Sequence, residues 1–215
     1  MNRLRTVMVA ALLTASAASA VSQTRLGPVV SATWAGVVQQ EDDLVAYDTA
    51  LRWGGGGCLE LPLGSRTALL VEPMLAERGA KGTAVGSIGG VEGSLETDVR
   101  LRYVEVPVLF RWDVLKGTVR PYLAGGASVG YLAGATVRSN VDGGSETIDV
   151  TEELRRTEVG LVFAAGVWAE IGRTRWFLEG RLTQGLLNLD TSGETHVNNQ
   201  SVGVLAGVTF ALGGH

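Results

Sequence analysis

The sequence predicts an all-β chain, an eight-stranded antiparallel up-and-down transmembrane β-barrel. Three observations carry that expectation. Segments of strand composition put an unbroken apolar row at one parity and charges mixed with glycine at the other. Short turns alternate along the chain with long polar connections. After the first segment no run approaches the roughly 20 apolar residues that a spanning helix needs, which excludes crossing by helices and leaves crossing by strands open.

The chain opens MNRLRTVMVAALLTASAASA, with Arg3 and Arg5 ahead of a short apolar run at 7–13 and the small residues Ala18, Ser19 and Ala20 at its end. Charge, short apolar run and A-x-A site in that order mark a secretory signal peptide. A leader over 1–20 and one exported domain over 21–215 are therefore expected. At 215 residues there is room for one closed barrel with long loops and little room for two domains. The mean hydropathy of +0.21 is high for a secreted soluble domain, although the leader inflates it. A formal net charge of −4 leaves no basic footprint for nucleic acid. The single cysteine, Cys58, cannot form an internal disulfide and has no His or basic neighbour in sequence to activate it, so it reads as a passive side chain.

Strands are expected near 26–38, 51–61, 67–77, 99–112, 119–134, 158–171, 175–187 and 200–212. Each is about as long as a tilted bilayer-crossing strand, near ten residues or a little more. The connections PLGSR, DVLKG and GRT are short, whereas QQEDDLVAYDTA, RGAKGTAVGSIGGVEGSLETD, TVRSNVDGGSETIDVTEELRR and NLDTSGETHVNN read as long loops. That parity suits tight turns on the periplasmic side and loops outside. In the third of these long connections, VTEELRRT at 150–157 could form one helical turn. The glycine runs at 54–57 and 86–93 lack both the P-loop pattern and the strand, G-x-G-x-x-G and helix context, so they point to close packing and loops. The acidic QEDD at 40–43 lacks calcium-loop spacing. Neither a metal nor a cofactor is expected.

Two faces follow from the period of two. Val104, Val106, Val108, Phe110 and Trp112 form one apolar row; Val159, Leu161, Phe163, Ala165, Val167, Ala169 and Ile171 another; Val202, Val204, Ala206, Val208, Phe210 and Leu212 a third. The opposite faces collect Glu60, Glu72, Glu105, Arg111, Arg120, Glu179 and Arg181, predicting a narrow lumen whose charges of both signs neutralise one another. Trp112, Trp176 and Phe210 fall on apolar faces at strand ends, as an aromatic girdle at one membrane interface requires. Trp168 has the inward parity and suits a bulge or a place in the lower plug of the barrel. Pro107 and Pro121 each remove a ladder donor and are expected at bulges or near strand ends.

With these residues in view, RYVEVPVLFRW at 102–112, RPYLAGGASVGYLAGA at 120–135, EVGLVFAAGVWAEI at 158–171, WFLEGRLTQGLLNL at 176–189 and NQSVGVLAGVTFAL at 199–212 resemble the outer-membrane β-barrel domain family of OmpA-like, OmpX-like and PorT-like proteins. The resemblance implies an eight-stranded barrel with a salt-bridged interior, placed as a monomer in outer-membrane lipid by the barrel assembly machinery. Many such chains end on an aromatic residue read by that machinery, whereas here Phe210 is followed by ALGGH. A non-enzymatic protein of the bacterial outer membrane is expected, with a structural, adhesive or minor solute-passage role and an unknown loop partner. One alternative is a lipid-modifying barrel enzyme, which would need His196 near Ser192 or Ser201. The other is a soluble periplasmic ligand-binding barrel of inverse polarity.

Overall fold

The computed structural model describes residues 24–39, 46–88, 91–141, 144–152, 154–187 and 197–212. The expected leader and the QEDD cluster lie outside them. The chain runs β1 (Arg25–Gln39), β2 (Ala46–Pro62), β3 (Thr67–Val71), β4 (Met74–Arg78), β5 (Ala80–Ile88), β6 (Val91–Asp113), β7 (Val119–Val141), β8 (Gly144–Asp149), β9 (Thr157–Ile171), β10 (Thr174–Gly185) and β11 (Val197–Ala211).

Against β6, the pieces β3, β4 and β5 keep one register from Thr67↔Trp112 through Met74↔Glu105 to Ile88↔Val91, so they form one interrupted stave. Counted that way the wall has eight staves. β1 pairs with β2, β2 with the interrupted stave, that stave with β6, β6 with β7, β7 with β9, β9 with β10 and β10 with β11, all antiparallel. The ring closes where β11 returns to β1, from Arg25↔Ala211 to Gln39↔Val197. β8 stands outside the ring as a short strand on the upper part of β7.

The interruption at Glu72 and Pro73 has a chemical cause. Glu72 donates its N–H to the Pro107 carbonyl at 3.0 Å, and Gly57 donates to the Pro73 carbonyl at 2.9 Å. The reciprocal bonds would need N–H groups that proline lacks. Pro121 does lie near a strand start, but Pro107 sits in the middle of β6, with no slip in register across it, contrary to the sequence expectation. Its missing donor meets a neighbour already broken by Pro73. At Gly79 (φ +124) the register against β2 slips by one, with Thr49 facing Ala80 and Gly54 facing Ala76. A Cβ there would lie 2.1 Å from the Val99 carbonyl oxygen, so only glycine allows this bulge.

Two of the expected long loops are largely strand. Residues 80–88 and 91–98 form a paired hairpin, and 136–141 pairs with 144–149. Above the apolar part of the wall both faces of a strand meet water, so the alternation that identifies a strand fades and glycine, serine and charge read as loop. The segment 150–157 makes no helix among its described residues. Instead Val150 and Leu154 pack on Leu101, Tyr103, Leu132 and Ala135, while the Thr151 hydroxyl accepts the Ala135 N–H at 2.8 Å.

The glycines 54–57 lie within β2. At Gly56 an added Cβ would stand 2.2 Å from the Pro73 carbonyl oxygen and 2.6 Å from Met74 Cα, because β2 and the interrupted stave approach closely there. Nothing lies within 4 Å of a Cβ built at Gly134. Gly56→Val is expected to cost about 2 kcal/mol or more by overpacking, while Gly134→Ala stays close to neutral. Urea titration of the refolded barrel, read by the mobility difference between heated and unheated samples, compares the two.

Candidate functional site: the ionic lumen and the apolar outer wall

The polarity of the wall is inverted relative to a water-soluble barrel. Val104, Phe163 and Val204 are 45%, 56% and 41% exposed, whereas Glu105 is 8% and Glu179 1% exposed. On β6 the exposed row from Val104 to Trp112 runs about 26 Å along the strand. At the ~40° tilt of such barrels this rises about 20 Å, and its end side chains bring it near the ~25 Å apolar band of a membrane barrel. Trp112, Trp176 and Phe210 all face outward at the short-turn end. Trp34, Trp53 and Tyr131 face outward toward the other end, a second aromatic level that the sequence reading missed. Just above Tyr131 and Val104 the outer face turns charged, with Arg102 paired to Glu77 at 3.4 Å.

Inside, period-two geometry delivers the charges in four levels. Near the short turns Glu60 accepts from Arg111 at 2.8 Å and from Arg175, which in turn donates to Glu170 at 2.8 Å. Arg25 reaches Glu170 at 3.6 Å. Trp168 is 2% exposed and belongs to this lower plug, which resolves its inward parity. Its ring lies between guanidiniums, 3.7 Å from Arg175 and 4.6 Å from Arg120, and its indole N–H donates to Asp113 at 3.1 Å. Such stacking contributes up to ~2 kcal/mol when desolvated. Arg120, expected in the carboxylate network, instead donates to the Gly117 carbonyl at 3.0 Å and holds the face of Trp168. A cavity of about 310 Å³, lined by Arg25, Arg111, Arg120 and Arg175 among others, opens below.

At mid-height Arg181 joins two carboxylates that are 0% and 1% exposed, donating to Glu72 at 2.6 Å and Glu179 at 2.8 Å. The Tyr122 hydroxyl donates to Glu179 at 2.8 Å. Buried Leu109, Leu205, Val29, Met74 and Cys58 pack with Tyr122 in the same section, so the lumen here is part salt bridge and part apolar core. Higher up, Arg78 donates to Glu158 at 3.0 Å and to Glu105. A space of about 30 Å³, lined by Ser31, Thr33, Thr183 and Ser201 with Arg78 and Arg181, separates the two levels and suits about one water. At the upper end Arg52 donates to Asp98, which also accepts from Arg100 at 3.1 Å.

Of the lumen charges read from sequence, Glu60, Glu72, Glu105, Arg111, Glu179 and Arg181 therefore meet inside, and Arg120 does not enter an ion pair among the described residues. Arg25, Arg78, Asp113, Glu158 and Arg175 were missed. Arg175 and Glu158 carry the inward parity of their strands and were legible on that ground; Arg78 fell in an expected loop. Catalytic chemistry gains no geometry here, because His196 and Ser192 lie outside the described residues and Ser201 is buried in the lumen wall. Among the described residues no cluster of His, Cys, Asp and Glu is arranged to hold a metal ion.

A closed antiparallel ring with hydrocarbon-facing side chains outside and paired ions inside is the architecture of a β-barrel that resides in a lipid bilayer. The profile of the family described as outer membrane protein beta-barrel domain matches residues 21–191, and the chain belongs to that family. Its place is the bacterial outer membrane. Among solved structures it is similar to the attachment invasion locus protein Ail of Yersinia pestis, at 13% identity over 87% of this chain and 99% of that one, with a TM-score of 0.43. It is also similar to the Neisserial surface protein A, at 14% identity over 87% and 97% with a TM-score of 0.47. The outer membrane protein OprG of Pseudomonas aeruginosa matches at 10% identity over 88% and 95%, with a TM-score of 0.47. Comparison with curated proteins yields no match.

Removing one partner of a buried ion cluster leaves uncompensated charge, at about 3–5 kcal/mol. Arg181→Met is expected to destabilise the barrel by that amount in urea titrations, and the triple change R181M/E72Q/E179Q to recover most of the loss. Outside the spanning part, burial alone would raise the Asp98 carboxyl, but the hydrogen bond and charge of Arg52, joined by those of Arg100, outweigh it and hold the carboxyl below its ordinary value. Its contribution is complete above about pH 4 and is lost as the pH falls through the lower folded value. Carbon NMR of the Asp98 carboxyl should titrate below about pH 4, and Arg52→Gln should move the midpoint up.

Proposed function

We propose that this chain is a non-enzymatic outer-membrane barrel that works through its outer rim, as a structural and surface-contact element, and does not pass solutes along its axis. The observation that supports this reading is the mid-height seal. Glu72, Glu179, Leu109 and Leu205 are all within about 1% of complete burial, and a guanidinium ties both carboxylates. Opening a path there would separate buried charges in a section without bulk water, at several kcal/mol per ion. On this reading Trp112, Trp176 and Phe210 mark the periplasmic membrane interface and Trp34, Trp53 and Tyr131 the outer one, since all six face outward. On that placement β6 and β7, at 23 residues each, rise well beyond the apolar band. What the protein touches then lies on these outer hairpins.

Planar-bilayer recording tests the reading. The wild-type barrel is expected to give no discrete current steps, and the seal variant E72A/R181A/E179A to give them, provided that it still shows the heat-dependent gel shift. Stable conductance of the wild type would overturn a sealed axis.

A further inference from the structure

Positive charge is in excess at the short-turn end of the lumen. The cavity of about 310 Å³ there is lined by four guanidiniums, of Arg25, Arg111, Arg120 and Arg175, against the three carboxylates of Glu60, Asp113 and Glu170. Around its mouth the described turns add Arg66, Lys116 and Arg173 and no carboxylate, although the chain as a whole has a formal net charge of −4.

The three carboxylates are already shared. A single oxygen of Glu60 accepts from Arg111 at 2.8 Å and also from Arg175. The Asp113 oxygen that accepts the Trp168 indole N–H at 3.1 Å stands 3.2 Å from Arg111 Nε, yet that nitrogen makes no hydrogen bond, and Arg111 is 6% exposed. The Arg175 Nε is likewise buried without a hydrogen-bond partner. Glu170 accepts from Arg175 at 2.8 Å and lies 3.6 Å from Arg25. Its side chain is 47% exposed, so water weakens what it offers.

Two cations are left without a close carboxylate. Arg25 otherwise donates to oxygens of Thr209 at 3.4 Å and to the Arg173 carbonyl at 3.1 Å. Arg120 gives its Nε to the Gly117 carbonyl at 3.0 Å and enters no ion pair among the described residues. They belong to β1 and β7, with β11, β10 and β9 between them, so they line the cavity from separate parts of the ring. Arg120 is held in place by the Trp168 ring, 4.6 Å away. A guanidinium presents paired N–H groups that match two oxygens of a tetrahedral anion, a geometry that a spherical ion such as chloride cannot use.

We infer that this cavity binds one phosphate-type oxyanion from the aqueous phase, with Arg25 and Arg120 as its donors and with Arg111 and Arg175 adding positive charge beside it. The space admits such an anion with part of its hydration shell. Its lining side chains point into the ring, so a dissolved anion reaches it along the axis, whereas a lipid headgroup would have to leave the bilayer. The inference does not depend on the role proposed for the outer hairpins.

Calorimetric titration tests the site, with inorganic phosphate added to the full mature chain in dodecyl maltoside micelles and ionic strength held constant with sodium chloride. Wild-type barrel is expected to bind one phosphate saturably. Arg25→Gln and Arg120→Gln should each weaken binding about tenfold. Lys116→Gln, exposed on the rim and outside the cavity lining, should change it by less than about twofold. Glu170→Gln removes a competing negative charge and should tighten binding several-fold. No saturable binding by the wild type, or unchanged binding by Arg25→Gln or Arg120→Gln, would overturn the site. So would an equal loss in Lys116→Gln, which would mark diffuse rim charge. Heat from phosphatidylglycerol doped into the micelles, with none from free phosphate, would overturn the dissolved anion in favour of a headgroup. The heat-dependent gel shift is read for each variant; if Arg25→Gln fails to fold, Arg120→Gln and Glu170→Gln still decide, with opposite expected signs.

Discussion

Hydrocarbon offers no hydrogen bonds, and that single constraint organises the whole molecule. Each N–H and C=O of a spanning strand has to find a partner on a neighbouring strand, which an open sheet cannot provide at its edges. Pairing of β1 with β11 removes both edges at once. Closure then forces one face of every strand inward into a space too narrow for bulk water, and the sequence has to fill that space with groups that satisfy one another. The ion pairs of the lumen follow from the ring, as much as the apolar wall does.

Filling the interior with charge is costly unless every ion has a partner. The barrel meets this by spreading its partners over distant staves: Arg175 of β10 with Glu60 of β2, Arg181 of β10 with Glu72 beside β3, Arg78 of β4 with Glu158 of β9. None of these contacts is local in the chain. They form only once the ring is closed, so the same groups that would oppose burial in an unclosed sheet favour the closed state. Apolar Leu109, Leu205 and Val29 fill the gaps between the ionic levels and exclude the water that would otherwise screen them.

This non-locality marks the limit of what could be read in the sequence. Period two on β6, β9, β10 and β11 identified the outer rows and most lumen charges, because lipid and lumen impose opposite demands on alternate residues. Partnership was invisible: nothing near Glu60 announces Arg175, and nothing near Trp168 announces Arg120. Arg78 was lost because it sits at the bulge of Gly79, in a stretch whose glycines read as loop. The strand pairs 80–88 with 91–98 and 136–141 with 144–149 were misread for a related reason, since strands that rise into water no longer alternate in hydrophobicity. Ser201 faces the lumen, as its parity opposite Val202 and Val204 requires.

Pro73 and Pro107 open a seam in the wall, each taking one rung from a different neighbouring strand at the same height. The residue between those lost rungs is Glu72, and Glu72 is the group that Arg181 grips from the far side of the barrel. The salt bridge thus works as a tie rod, bracing from within the one stretch of wall that its own ladder leaves under-fastened. The bond that braces this stretch of wall is also the one proposed to close the bore.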